Sequence, residues 1–137
     1  MEPIIKLKEG YGDLRFGMPV EDVVAILGTA DSVENIDNAA DEPTTVLRYE
    51  ERGLTLYFEE ENPVLACIDI CDTESTLYGQ RVFDFEQSNI VDLVKKHGFS
   101  EMEVDDEDWG ERRVSFPEAD ADFFFDDDEL VSVTLGA

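Results

Sequence analysis

The sequence predicts an α+β fold in which two tandem units, each a short helix followed by an antiparallel meander, form one sheet with two short helices on one face. Three observations predict it. Alternating, strand-like segments outnumber helical ones, the second half repeats the pattern of the first, and the 137 residues are 42% hydrophobic, enough for one core. We therefore expect a single domain over residues 1–137, with one repeat at about 11–72 and the other at about 77–137.

The strands carry the repeat. A shift of 67 positions places five apolar or aromatic residues of the first half on five of the second. These are Leu47, Tyr49, Leu56, Tyr57 and Phe58, which fall on Val114, Phe116, Phe123, Phe124 and Phe125. A shift of 65 then places Leu65, Ile68 and Ile70 on Leu130, Val133 and Leu135. Self-similarity at a fixed spacing indicates one supersecondary unit used twice.

Alternation of apolar and polar residues predicts three strands in each unit. They are expected at 46–50, 54–59 and 64–70, and again at 112–116, 121–125 and 130–135. Shorter strands are expected at 4–8, 13–16 and 77–83. In LACIDIC, the third strand of the first unit, the alternation puts Leu65, Cys67, Asp69 and Cys71 on one face.

A short helix precedes each set of strands. In the first, Pro19 suits the opening turn and Gly28 the position after the end. In the second, Ser88 suits the N-cap and Gly98 the end. The residues expected to face the core are Val20, Val23, Val24 and Leu27 in the first helix and Ile90, Val91 and Val94 in the second.

Residues 123–130, FFFDDDEL, join three phenylalanines to four acids. The repeat aligns the acidic run with EEENP at 59–63, so both are expected to be hairpin connections, where Asp, Asn and Pro are favoured for backbone reasons. The glycine and final glutamate of an EF-hand calcium loop are missing. We therefore expect a solvated turn with Phe123 and Phe125 on one sheet face and Phe124 on the other. A partner-facing patch and adventitious binding of a divalent cation are the alternatives.

The net charge is extreme, because 35 acidic residues stand against 10 basic ones and give −25. Such a field repels nucleic acid and anionic lipid, so we expect no direct binding to DNA, RNA or a membrane. It attracts a basic protein partner and accelerates the encounter. The alternative is a surface that is acidic only for solubility.

Residues that could carry catalysis are scarce. His97, the single histidine, follows two lysines at a helix end, where a cation complements the dipole and caps carbonyls. No Gly-rich phosphate loop, GxSxG, HExxH or CxxC is present in the sequence. We therefore expect no enzymatic activity, no cofactor and no metal.

Three features indicate a cytoplasmic protein. No segment approaches the ~20 apolar residues of a membrane span. The N-terminal MEPIIKLKEGYGDLRF lacks the apolar region and cleavage site of a secretory signal. Cys67 and Cys71 lie about 13 Å apart along a strand, too far for a disulfide, and are expected to be reduced thiols.

The connection from the second helix to its strands is the candidate partner site. Residues 101–129 hold 14 acids against two bases, and the stretch VDDEDWGERR contains the only tryptophan. The matching connection, SVENIDNAADEPTT, is longer and also acidic. A tryptophan ringed by acids is typical of an interface hot spot with an electronegative rim, although Trp109 packed over the sheet edge is an equal alternative. The predicted partner-binding residues are Asp105, Asp106, Glu107, Asp108 and Trp109, and secondarily Asp126, Asp127, Asp128 and Glu129.

The segment LRFGMPVEDVVAILGTAD resembles a motif common in small bacterial proteins, through Phe16, Gly17, Met18, Glu21, Val24, Leu27 and Gly28. It is similar to the repeat unit of the beta-lactamase inhibitor protein and to outer-membrane assembly lipoproteins. It also resembles small immunity proteins encoded beside polymorphic toxins of bacterial competition systems. Because this chain has neither the lipobox nor the disulfide pattern of the secreted relatives, the resemblance favours the cytosolic immunity type.

The leading hypothesis is thus a non-enzymatic acidic protein that neutralises a basic partner, as an immunity protein that occludes the active or nucleic-acid-binding site of a cognate bacterial toxin. One alternative is a DNA mimic that regulates a nucleic-acid-binding protein. Another is a housekeeping interaction domain or small-ligand binder.

Overall fold

The computed structural model describes residues 2–36, 44–59, 64–107 and 110–136. These residues form two helices, α1 (Val20–Leu27) and α2 (Gln87–Lys96), and thirteen strands. In chain order the strands are β1 (Ile4–Lys6), β2 (Gly10–Tyr11), β3 (Leu14–Arg15), β4 (Ser32–Ile36), β5 (Thr44–Tyr49), β6 (Leu54–Glu59), β7 (Val64–Ile70), β8 (Thr76–Leu77), β9 (Gln80–Arg81), β10 (Glu103–Asp106), β11 (Arg112–Phe116), β12 (Ala121–Asp126) and β13 (Glu129–Gly136). The fold is therefore mostly β with two helices, an α+β architecture.

Eight strands form one antiparallel sheet in the order β10-β11-β12-β13-β7-β6-β5-β4. It consists of two four-stranded meanders, β4 to β7 and β10 to β13, which meet where β13 pairs with β7. The six inner strands lie where alternation predicts them. The edge strands β4 and β10 lie where the sequence predicts only connections, so that prediction is wrong.

The other five strands form a separate sheet in the order β3-β2-β1-β8-β9, so the prediction of a single sheet is wrong as well. Its strands have two or three residues, too few to show an alternation that would separate them from the large sheet. Within this small sheet the Tyr11 and Ser75 hydroxyls share a buried hydrogen bond of 2.8 Å. Burial raises the pKa of Tyr11 to about 12.

One face of the large sheet, which we call the inner face, carries the hydrophobic core. Leu56, Ile68 and Phe123 lie on it and are fully buried. Val23 of α1, Val94 of α2 and residues of the small sheet belong to the same cluster. Both helices and the small sheet therefore pack on the inner face. We call the opposite side of the large sheet the outer face.

The helices start and pack slightly differently from the sequence prediction. Ser88 lies inside α2 instead of capping it, because the Glu86 and Asn89 side chains form a reciprocal capping box at its start. Val24 of α1 is 36% exposed instead of facing the core. No helix in the described part of the chain is long and apolar enough to cross a membrane.

His97 ends α2 as the sequence predicts. Its Nδ1 lies 2.9 Å from the carbonyl oxygen of Leu93, one turn earlier, to which a protonated Nδ1 donates. Its ring also stacks on Tyr78, with the ring centroids 3.6 Å apart and the planes 8° from parallel. The capping role of this histidine is therefore confirmed, and the stacking ties α2 to the turn between β8 and β9.

A β-bulge changes which residues of β7 face the core. Leu65 lies opposite Phe58 and Cys67 lies opposite Tyr57, so one residue of β7 is left over between them. Leu65 consequently shares the inner face with Ile68, and the prediction that it shares a face with Cys67 is wrong. The β12–β13 pair carries a register shift of the same kind.

Candidate functional site

The acidic run of FFFDDDEL is a tight hairpin turn. Asp126 pairs with Glu129, and the two residues between them, Asp127 and Asp128, have left-handed φ angles of 49° and 69°. Two consecutive residues with positive φ form the type I′ turn that matches the twist of the flanking strands. The prediction of a hairpin connection is confirmed here. Its predicted counterpart at 60–63 lies outside the described residues.

One carboxylate of the turn has a structural partner. Asp128 Oδ1 accepts a hydrogen bond of 3.2 Å from the backbone N–H of Gln87, the first residue of α2. The first N–H groups of a helix have no partner within the helix, and a negative charge there also complements the helix dipole. The turn therefore joins the β12–β13 hairpin to the start of α2.

Replacing Asp128 with alanine should lower the free energy of unfolding by about 1–2 kcal/mol, through loss of the helix-capping oxygen and of a residue that tolerates positive φ. An asparagine at this position would keep both properties, so Asp128→Asn should change stability by less than about 0.5 kcal/mol. Urea denaturation of both variants checks this. Equal losses in the two variants would show that the charge matters instead of the cap.

The structure brings Asp106 together with this turn. A groove of about 440 Å³ lies between them, lined by Gln87, Asp106, Gly110, Arg112, Phe125, Asp127 and Asp128. Arg112 donates to Asp106 through Nε at 2.9 Å and to the Gln87 side-chain oxygen through Nη1 at 3.4 Å. The hydrogen bond that Arg112 donates to Asp106 raises the pKa of the guanidinium. Much of the charge of Asp106 is thus offset within the chain.

Asp105 and Glu107 lie on the outer face instead. Arg113 Nη2 donates to Asp105 at 2.9 Å, and its Nε lies 3.4 Å from Glu107 in an ion pair without hydrogen-bond geometry. The hydrogen bond that Arg113 donates to Asp105 is the main cause that raises the pKa of Arg113. Because Asp105 and Asp106 are consecutive residues of a strand, they point to opposite faces. The described members of the predicted site therefore form two groups, whereas Asp108 and Trp109 lie outside the described residues.

The outer face holds a feature that the sequence analysis missed. One residue from each of the eight strands lies directly opposite its neighbours in a continuous row, which we call the outer-face ladder. From edge to edge the row is Ser32, Arg48, Thr55, Asp69, Thr134, Asp122, Ser115 and Glu103. Hydroxyl and charged side chains alternate along it, and three of its four charges are negative.

At the centre of the ladder a hydrogen bond joins the two meanders, and two polar side chains beside it are half-buried. Thr134 donates its hydroxyl to Asp69 where the two meanders meet. Burial, and next the charge of Asp69, raise the pKa of the nearby Tyr57 phenol. The same two causes raise the pKa of the Cys67 thiol to about 11, which makes it a weak nucleophile. Cys67 and Cys71 are both free.

Two aromatic residues flank the ladder. Tyr57 lies two residues beyond Thr55 on β6, and Phe124 lies two residues beyond Asp122 on β12, so they stand on opposite sides of the row. Both are half-buried. Between the ladder residues of β10 to β13 runs a shallow groove of about 450 Å³, whose lining includes Glu103, Asp122 and Thr134. The outer face thus offers carboxylates, hydroxyls and aromatic edges together.

In the described part of the chain, no group of three His, Cys, Asp or Glu side chains is placed to hold a metal ion. The outer face and the turn offer hydrogen-bond acceptors and negative charge, with arginines or aromatic rings nearby. This arrangement suits recognition of a cationic group.

No protein-family model and no curated protein matches this chain. Among solved structures it is similar to an extracellular protein containing a SCP domain from Bacillus anthracis str. Ames, with a TM-score of 0.49 and 16% sequence identity. The match covers 95% of this chain and 49% of that chain, so this chain spans about half the length of that protein. This level of similarity does not define a family.

Proposed function

We propose that this protein is a cytoplasmic, non-enzymatic binding protein that neutralises a basic protein partner, most simply as an immunity protein that occludes the active or nucleic-acid-binding site of a cognate bacterial toxin. One observation carries the proposal: an eight-stranded sheet packs its core cluster on one face and, apart from the buried Val46, presents on the other a polar, mainly acidic row, in a chain of net charge −25. Such a surface steers cations toward it and disfavours anionic partners.

We also propose that the two meanders are copies of one unit. The correspondence between them supports this. Each has a 3₁₀ turn between its second and third strands, at Glu50–Arg52 and Pro117–Ala119, followed by a left-handed residue, Gly53 or Asp120. Each of those residues accepts a backbone hydrogen bond of 2.7 Å from the end of its own meander. Matching features at the same shifts of 67 and 65 positions that relate the two halves of the sequence are not expected to arise by chance.

Differences between the corresponding positions support a role for the outer face. On the inner face both members of a pair are apolar, as in Leu56 and Phe123, because the core restricts them. On the outer face Asp69 corresponds to Thr134, and Cys67 to Ser132. Folding therefore leaves the outer face free to vary, and the two units place acids at different positions: Asp69 has a threonine as its counterpart in the second unit, and Asp122 has Thr55 as its counterpart in the first.

The alternatives fit the geometry less well. Double-stranded DNA presents one charge per ~1.7 Å of its axis, whereas adjacent carboxylates of the ladder are two strands, or roughly 10 Å, apart. A mimic of DNA would need a denser array. A small-ligand site is usually enclosed and mostly apolar, whereas the grooves beside the acidic turn and along the ladder are both open to solvent, and the first is lined largely by polar and charged side chains.

The proposal is tested with the partner itself. The tagged protein is used to capture binders from its native cells at low and at high salt, and the captured protein is purified and its own activity assayed. We expect that activity to be abolished in the complex, and the association rate to fall at least about tenfold between roughly 50 and 300 mM salt.

Charge-reversed variants locate the surface. Asp126→Lys with Glu129→Lys should slow association several-fold, whereas Glu21→Lys with Asp22→Lys, which changes the net charge equally on exposed positions of α1, should slow it much less. An association rate indifferent to salt, or a partner that stays fully active in the complex, would contradict neutralisation by steering and occlusion.

A further inference from the structure

We propose that the outer-face ladder binds an extended segment of the basic partner that presents arginine side chains about 10 Å apart, with one guanidinium for each of Asp69, Asp122 and Glu103. This inference rests on the proposed function and names the group that the partner supplies. The proposed binding surface is the outer face and does not include the acidic hairpin turn.

The spacing follows from the strand order. Asp69 lies on β7, Asp122 on β12 and Glu103 on β10, so that one strand separates each acid from the next. Neighbouring strands lie about 4.8 Å apart, which puts the Cα atoms of successive acids roughly 10 Å apart. The strands between them contribute Thr134 and Ser115, whose hydroxyls keep the carboxylates from repelling each other at close range.

Two arginines of the outer face, Arg113 and the ladder's own Arg48, are paired with acids outside the ladder. Arg113 is paired with Asp105 and Glu107, and Arg48 lies 3.6 Å from Glu34. Among the lysines and arginines that the structure describes, none forms an ion pair with the three ladder carboxylates. Apart from the longer-range interaction of Arg113 with Asp122, these carboxylates remain available to a cation from outside the described chain.

The aromatic flanks favour arginine over lysine. Tyr57 and Phe124 stand beside the row, half-buried, one on each side. A guanidinium stacks on an aromatic ring while its N–H groups bind a carboxylate, whereas an ammonium is a compact charge that keeps its water. There are two such places: Asp122 with Phe124 on β12, and Asp69 with Tyr57. At each, the carboxylate and the ring are close enough for one arginine side chain to contact both.

An extended segment matches the spacing. In a polyproline II helix the rise is about 3.1 Å per residue with three residues per turn, so every third side chain points the same way at intervals of about 9.3 Å. A peptide of four Arg-Pro-Pro repeats therefore presents its arginines in one row at nearly the ladder's interval. A peptide of the same composition with its four arginines consecutive, between two blocks of proline, has equal charge and the wrong spacing.

The experiment measures the affinity of both peptides for the full chain by titration calorimetry at moderate salt. The spaced peptide should bind at least about fivefold more tightly than the clustered one, since only it can occupy several carboxylates at once. Combining Asp122→Asn with Glu103→Gln should bring the two affinities together. The control variant, Glu21→Gln with Asp92→Asn, removes two exposed helical charges and should weaken both peptides equally and by less than about twofold.

The outcomes separate the two proposals. Equal affinity of the two peptides for the unaltered protein, or equal effects of the ladder and control variants, would overturn the ladder and leave acidic recognition of a basic partner standing. If neither peptide binds more tightly than an uncharged Ser-Pro-Pro peptide, recognition of a cationic segment by this chain fails altogether. Circular dichroism of each variant establishes that a lost affinity is not lost folding.

Discussion

Replacement of Phe123 by alanine is expected to lower the free energy of unfolding by about 3–5 kcal/mol. The ring is fully buried on the inner face, and it meets Phe116 edge to face, with the centroids 5.8 Å apart and the planes at 89°. Truncation removes the apolar burial and the ring contact, and it leaves a cavity that strands on both sides keep from closing. Urea denaturation measures the loss.

Two control variants test whether the loss of stability comes from burial on the inner face. Phe124→Ala changes the neighbouring ring, half-buried on the outer face, and should cost about 1 kcal/mol or less. Phe123→Leu introduces the residue found at the corresponding position 56 and should cost less than about 1.5 kcal/mol. If Phe124→Ala costs as much as Phe123→Ala, the outer face is not the open surface on which both functional proposals depend.

The alternation within FFFDDDEL shows what a sequence can predict. Phe123 and Phe125 are buried while Phe124 is half-exposed, as the period of two requires. The acidic run is a hairpin turn, as expected for a short segment between two strands that the repeat aligns with another connection between strands. These predictions succeed because they need only local periodicity and a second copy for comparison.

The edge strands could not be predicted in the same way. The sequences of β4, SVENI, and β10, EVDD, have few apolar residues, and Val33 and Val104 remain 58% and 45% exposed. An edge strand pairs on one side only and is commonly protected by charge against pairing with other chains. Such a strand has the composition of a loop, so it can be recognised only by its pairing with the neighbouring strand.

The outer-face ladder was out of reach for a different reason. Its members come from eight strands, and which residues stand opposite each other depends on register. The bulges that leave over one residue in β7 and one in β13 shift that register, and neither can be placed from composition. A sequence reading that ignores the bulge in β7 joins Leu65 to Asp69, whereas the structure puts Asp69 opposite Thr134.

The predicted partner site is divided between two faces of the sheet because part of it forms the edge strand β10. Asp105 and Asp106 were expected to act together in a loop, but a strand turns them to opposite faces, and each then meets one arginine of β11. The most concentrated acids of the sequence are thereby partly neutralised. Acids spread over the ladder, which look unremarkable in the sequence, form no ion pair with the described lysines and arginines.

Gly53→Ala is expected to lower the free energy of unfolding by about 2–4 kcal/mol, measured by urea denaturation. Its φ is +61°, and a Cβ placed there would lie 2.7 Å from the backbone nitrogen of Asp72. The carbonyl of Gly53 also accepts the Cys71 N–H at 2.7 Å, so the chain has no freedom to move away. Strained backbone and steric overlap therefore act together.

The corresponding residue of the second meander separates those two causes. Asp120 has a similar φ of 49°, and its carbonyl accepts the N–H of Gly136 at 2.7 Å. Asp120→Ala puts alanine in the same backbone conformation at a site that already accommodates a Cβ, and it removes an exposed ion pair with Lys8 and a residue type that tolerates positive φ, so it should cost about 1 kcal/mol. Equal costs at the two sites would mean that backbone conformation alone explains the glycine. A larger cost at Gly53 would show that the close approach of Asp72 demands it, and that the two meanders, however alike, are closed by different contacts.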